Sequence, residues 1–165
     1  MPVKVYTLAC SLIVPAPIER AFSIFEDPYN LGRITPSWLR FRVTSAGRVV
    51  MRRGAEIEYR LSWLGIPLAW KTLVTEYDPP RRFVDEQAKG PYSLWRHHHM
   101  FREVEGGTEV ADRVEYALPL GLLGRLAHRL IVAEQLRRIF RFRQRKIAEM
   151  LGGGVTVAEP EITPK

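Results

Sequence analysis

GLLGRLAHRLIVAEQLRRIFRFRQRKIAEML, residues 121–151, decides the fold. It contains no proline and closes at Gly152-Gly153-Gly154. Apolar residues recur at helical spacing, at Leu123, Leu126, Leu130, Ala133, Leu136, Phe140 and Ile147, with Met150 and Leu151 at the end. That period predicts one long helix with a single buried stripe, about 45 Å long at 1.5 Å per residue. Gly121 and Gly124 weaken the first turn and put the start of regular helix a few residues later. The triple glycine is a stop. A helix of this length with one apolar face needs a large apolar partner, and the chain before it supplies strands.

Working back from the helix, Leu94 to Val104 and Thr108 to Leu118 read as a hairpin around Gly106-Gly107, and residues 82–88 as the strand before it, ended by Gly90-Pro91. Glu56 to Trp63 and Ile66 to Asp78 alternate cleanly. With Leu64-Gly65 at the tip, Ile57, Tyr59, Leu61 and Trp63 lie opposite Thr72, Trp70, Leu68 and Ile66 on one apolar face, and Glu58 faces Lys71 on the other. A further strand is expected at Arg40 to Ala46. Residues 3–14 read as the first strand, ended by Pro15-Ala16-Pro17. Ile18, Ala21, Phe22 and Phe25 mark a short helix with Pro17 suited to its first turn, and Tyr29 to Ile34 forms a second short helix. Thr35-Pro36-Ser37-Trp38 is a loop. The order is strand, two short helices, about six antiparallel strands, long helix. That predicts an α+β domain over residues 1–151, with a sheet curled around the helix and a space between them. The tail GGGVTVAEPEITPK, residues 152–165, has little to bury and is expected to be disordered.

At 165 residues and 46% hydrophobic composition, the chain is one globular domain with enough length for a real core. No apolar run is long enough for a transmembrane helix. The N-terminus alternates like a strand and does not read as a signal peptide. Cys10 is the single cysteine, so no internal disulfide forms, which fits a cytoplasmic location. The net charge of +7 is concentrated: residues 121–151 hold eight Lys/Arg against Glu134 and Glu149. The basic charge is therefore expected on the solvent face of the long helix. An anionic membrane surface is the alternative partner for that face. No nucleic-acid motif accompanies it, so no nucleic-acid partner is expected.

The order of elements resembles the START-like, or SRPBCC, superfamily with its helix-grip fold: a curved antiparallel sheet of six to seven strands wrapped around a long C-terminal helix. Ile13-Val14-Pro15-Ala16-Pro17 through Phe22-Ser23-Ile24-Phe25 is similar to that superfamily's approach to its first helix. Pro80-Arg81-Arg82-Phe83-Val84-Asp85-Glu86-Gln87, then Gly90-Pro91-Tyr92, Trp95, His97, His99 and Phe101 resemble its ligand-binding, polyketide cyclase-like subgroup. Asp112-Arg113-Val114-Glu115-Tyr116 and Leu118-Pro119 continue the likeness, which covers residues 3–151. It implies a hydrophobic cavity for a small molecule between sheet and helix. It does not imply one reaction, because the superfamily includes lipid carriers, cyclase/dehydratases and pure binders.

The hairpin around Gly106-Gly107 sets His97 opposite Tyr116, His99 opposite Val114, Phe101 opposite Asp112 and Trp95 opposite Leu118, all on one face. Arg96, His98, Arg102, Arg113 and Glu115 share the wet face, with His98 opposite Glu115. His97 and His99 therefore point inward. On the preceding strand Phe83, Asp85 and Gln87 share a face, which, if also inward, adds two polar groups to the cavity. Buried polar groups cost about 1–3 kcal/mol each when unpaired, so Asp85, Gln87, His97, His99, Asp112 and Tyr116 need a reason to be there. They form either a self-satisfied network that fixes sheet register, a polar anchor for an otherwise apolar ligand, or an acid/base site using His97 or His99. His-x-His on a strand also offers two metal ligands on one side, without a clear third; no cofactor signature is present. Tyr59, Trp70, Trp95, Phe101 and Tyr116 supply apolar contact, Trp63 belongs to the core, and Trp38 is placed to cover the cavity mouth. The reading this supports is a binding protein for a small, mostly hydrophobic molecule. The alternatives are a cyclase/dehydratase acting on a polyketide-like substrate and a peripheral membrane lipid binder.

Overall fold

The computed structural model describes residues 3–165. Eight strands form one antiparallel sheet: β1 (Val5–Val14), β2 (Arg42–Val43), β3 (Glu56–Trp63), β4 (Ile66–Asp78), β5 (Arg82–Lys89), β6 (Leu94–Val104), β7 (Gly107–Ala117) and β8 (Val155–Pro164). Their order across the sheet is β2-β3-β4-β5-β6-β7-β1-β8. Between β1 and β2 lie a helix, α1 (Ile18–Glu26), and two 3₁₀ turns, Pro28–Gly32 and Ser37–Leu39. Between β7 and β8 runs the long helical element: α2 (Gly121–Ala127), a π turn (His128–Val132) and α3 (Ala133–Met150). Helix and curved sheet enclose two apolar clusters. One gathers Phe22, Phe25, Ile34, Val74, Phe83, Phe101 and Ile147, the other Tyr6, Leu8, Val114, Tyr116, Leu136 and Phe140.

The strand alternation pairs β3 with β4 as the sequence predicts, Tyr59 with Trp70 and Glu58 with Lys71. The β6–β7 hairpin differs. Its turn is Glu105-Gly106, so His97 faces Val114, His99 faces Asp112, Trp95 faces Tyr116, and His98 faces Arg113. The slip relative to expectation is two residues. An even slip exchanges partners along the ladder but leaves every side chain on its face, so His97 and His99 still point inward.

Two larger corrections concern the chain after residue 120. The predicted disordered tail is strand β8, paired with β1 from Tyr6–Pro164 to Ile13–Val155 with an irregular stretch midway. Gln144 on α3 fastens it, its amide donating to the carbonyls of Ser11 and Ala158 at 3.1 and 3.0 Å. Pro160 and Pro164 are tolerated because β8 is an edge strand. The helix begins at Gly121 rather than later, and its stripe is broken. Ala133, Leu136, Phe140 and Ile147 are buried, but Leu123, Leu126 and Leu130 are more than half exposed. The π turn at His128–Val132 inserts one residue and rotates the preceding turns by about a third of a revolution. Gly124, His128 and Val132 take the inward positions instead. The same periodicity buries Arg143, which the charge count placed on the solvent face.

Candidate functional site

A cavity of about 240 Å³ lies between the sheet and α3. Its walls come from the inward positions of β3 to β6 (Ile57, Tyr59, Trp70, Phe83 and Trp95 among them), from the loop before β2 (Leu31, Ile34, Leu39), and from Val132, Leu136, Ile139 and Phe140 on the helix. Strand alternation makes the wall apolar. Tyr59 stacks on Trp70 at 5.8 Å between ring centres, and Trp95 meets Trp70 edge-on at 5.3 Å. Trp70 Nε1 donates to Thr72 Oγ1 at 3.1 Å, and the Tyr59 hydroxyl meets the same oxygen at 3.2 Å.

One wall is charged. Asp85, His97, His99 and Arg143 all line the cavity, with Asp112 beneath them. His99 Nε2 is 2.6 Å from Asp85 Oδ2, and His97 Nε2 is 2.8 Å from Asp112 Oδ1. Arg143 Nε donates to Asp112 Oδ2 at 3.3 Å. His99 Nδ1 lies 3.3 Å from both Asp112 Oδ1 and an Arg143 terminal nitrogen. Phe25 backs Arg143, 4.9 Å from the guanidinium, and Phe83 stacks on His99 at 4.0 Å.

Burial lowers His97, and the neighbouring His99 lowers it further, to about 4, so the ring is neutral near pH 7. With its Nε2–H given to Asp112, Nδ1 of His97 is an acceptor with no hydrogen-bond partner among the described residues. Burial also opposes charge on His99, but Asp112 and Asp85 outweigh it and raise that group. Burial would raise Asp112, yet Arg143 and then the two imidazoles hold it well below the ordinary carboxylate range. Asp85 is lowered in the same way, chiefly by His99 against the burial penalty. The rings of His97 and His99 are 3.7 Å apart and are pushed in opposite directions. Asp85, His97 and His99 also bring potential metal-ligand atoms within 4.8 Å of one another. Arg143 beside His99 and Asp112 on His97 oppose that use, since a dication would face a buried guanidinium.

The remaining predicted residues divide. Tyr59, Trp70, Asp85, Trp95, His97 and His99 are brought together around the cavity. Asp112 lies behind its wall and acts on it through His97 and Arg143. Gln87 is outside the lining, its amide clasping the backbone of Tyr92 at 2.7 and 3.2 Å. Phe101 packs in the core against Phe22 and Phe25. Tyr116 is fully buried and bonds His128 Nε2 at 2.8 Å. Trp38 sits outside the cavity on Phe142 and Arg138, although neighbouring loop residues do form its wall. Arg143 in the lining and His128 beneath Tyr116 lie outside the set the sequence predicts. The signal for Arg143 was its place in the stripe, three residues after Phe140 and four before Ile147.

Solved structures of similar fold include a protein from Chromobacterium violaceum, with 16% identity over 88% of this chain and 96% of that one, at a TM-score of 0.69. A protein from Mycobacterium smegmatis matches at 19% identity over 88% and 90%, TM-score 0.65. A Rhodobacter sphaeroides protein matches at 22% identity over 88% and 92%, TM-score 0.61. At these identities the likeness is one of fold. No curated protein matches the sequence. The family model described as polyketide cyclase/dehydrase and lipid transport matches residues 14–140. A match over that share of the sequence, on the sheet and helix that build the cavity, means that the chain belongs to the polyketide cyclase/dehydrase and lipid transport family.

Proposed function

We propose that this chain binds a small, mostly apolar molecule in the cavity between sheet and helix, with the polar end of the ligand at His97, His99 and Asp85. The observation that carries this is a space of about 240 Å³ with aromatic walls and a single charged side. Protein interiors are close-packed. A space lined mainly by apolar side chains is one that an apolar occupant fills with a gain in buried apolar area. The family's description, which spans cyclases, dehydrases and lipid transport, is compatible with such an occupant. Native mass spectrometry of the purified chain is the test. A retained small molecule, lost in an Ile139→Trp variant that fills the cavity, is the expected result. A bare wild-type chain that also takes up no added apolar compound would count against it.

The opposed His97 and His99 favour a second reading, in which the cavity also catalyses acid/base chemistry of the cyclase or dehydratase kind. His97→Gln and His99→Gln separate the two. A binder keeps its affinity within about tenfold, or about 1.4 kcal/mol, whereas an enzyme loses turnover by about two decades or more.

Leu122, Leu123, Leu126, Leu130 and Ile131 are exposed on the N-terminal half of the helix, among Arg125 and Arg129. A second copy of the chain would set these arginines against their own kind across a twofold interface; an anionic lipid surface takes both the leucines and the charge. We propose the membrane contact on that ground. Sedimentation with phosphatidylserine vesicles should fall in high salt and in a Leu122→Ser/Leu126→Ser/Leu130→Ser variant. Binding indifferent to both, or a dimer that the triple variant dissolves, would refute it.

A further inference from the structure

We infer that the cavity selects apolar molecules with a neutral hydroxyl or carbonyl end and excludes carboxylates of the same length. The inference rests on the binding function proposed above and narrows its ligand.

Among the described residues Arg143 is the only Lys or Arg in the cavity lining, and on first sight it is a carboxylate clamp. Its charge is already paired: Nε donates to Asp112, one terminal nitrogen meets His99, and the guanidinium packs on Phe25. The charge of the cluster can be counted in both states of His99. If His99 carries a proton on each ring nitrogen, it faces Asp85 through Nε2 and Asp112 through Nδ1, and two cations balance two carboxylates. If His99 is neutral, Nδ1 accepts from Arg143 instead, and the cluster is left with one net negative charge. His97 adds nothing in either case, because its Nε2–H is given to Asp112 and the ring is uncharged. Neither state offers a spare positive charge to a ligand carboxylate. A third carboxylate would be desolvated beside two others in a space where charge is weakly screened.

A neutral end group meets the opposite situation. His97 Nδ1 is an acceptor that lacks a partner among the described residues, on a ring that lines the cavity. A ligand hydroxyl donates to it without burying new charge. A carbonyl finds a donor in the Tyr59 hydroxyl, which lines the cavity and can take its own hydrogen bond from Thr72. The wall is thus built to satisfy neutral polar groups and to leave anions uncompensated.

The test uses the full chain and three ligands of one length, measured by isothermal titration calorimetry at pH 6.5: 1-decanol, methyl decanoate and decanoate. Decanol and the ester are expected to bind at least a hundredfold more tightly than decanoate, a difference of about 2.7 kcal/mol. Asp85→Asn removes a carboxylate that lines the cavity and is expected to narrow the decanol-to-decanoate affinity ratio at least tenfold. Decanoate bound as tightly as decanol by the wild type overturns the inference without touching the binding function. So does an Asp85→Asn variant that folds and takes up decanol but rejects decanoate as before. If Asp85→Asn does not fold, the three-ligand comparison on the wild type decides alone. A wild type that binds none of the three removes the binding function and this inference with it.

Discussion

Asp112 holds the charged wall together, and its removal has a consequence large enough to measure. Asp112→Ala takes away the oxygen bonded to His97 at 2.8 Å and the one that receives Arg143 at 3.3 Å. Arg143 is only 7% exposed, so its guanidinium stays buried with no carboxylate within direct contact. Removing one partner of a buried ion pair costs about 3–5 kcal/mol, most of it the uncompensated charge left behind. With a urea slope of about 2 kcal/mol per M, the unfolding midpoint should fall by roughly 1.5–2.5 M. Arg143→Met leaves Asp112 with two imidazoles and should cost less. In the double variant no buried charge is stranded, and its stability should recover to within about 2 kcal/mol of wild type. The coupling between the two sites in a double-mutant cycle should therefore reach about 2 kcal/mol. An Asp112→Ala cost below about 1 kcal/mol, or a double variant no more stable than Asp112→Ala alone, would refute the account of the wall as a mutually dependent cluster.

His97 has a folded-state pKa of about 4, below its unfolded value. The unfolded chain then binds the proton first as pH falls, so stability should decline between about pH 6.5 and 4, and His97→Gln should flatten that limb in urea titrations. Below that window Asp112 and Asp85, both lowered in the fold, should add a further loss as they protonate, which survives in His97→Gln. Gly107→Ala should destabilise by about 2 kcal/mol or more in thermal melts, because φ is 143° there and a Cβ would sit 2.0 Å from the Val14 carbonyl oxygen. Truncation after Gly154 exposes the β1 edge and leaves the Gln144 amide without Ala158. That chain should lose about 2 kcal/mol or more and aggregate faster by light scattering; unchanged stability would mean that β8 contributes nothing.

Much of the fold was legible because its signals are periodic. The β3–β4 register followed from Leu64-Gly65, whose residues both take positive φ, 49° and 82°. The inward placing of His97 and His99 is the same in the predicted and the observed hairpin register, since face depends only on parity. Asp85 lines the cavity even though a bulge between Val74 and Glu76 interrupts the neighbouring pairing. What the sequence concealed depended on tertiary partners. Val155 to Pro164 has two prolines and no core of its own, and becomes a strand only because β1 offers an edge. Leu123, Leu126 and Leu130 keep helical spacing with the later stripe, but the π turn changes the phase, and no local signal announces it. The charge pattern assigns Arg143 to the surface because arginine is seldom buried. Its burial follows from Asp112 on a strand 31 residues earlier, a pairing that periodicity alone does not register.

The central claim is that the space between sheet and helix takes an apolar guest. Calorimetric titration of the full chain with 1-decanol tests it most directly, run at two temperatures beside Ile139→Trp. The account predicts saturable one-to-one binding with a negative heat-capacity change, abolished in the variant. Heats that do not saturate, or equal binding by wild type and Ile139→Trp, would contradict it.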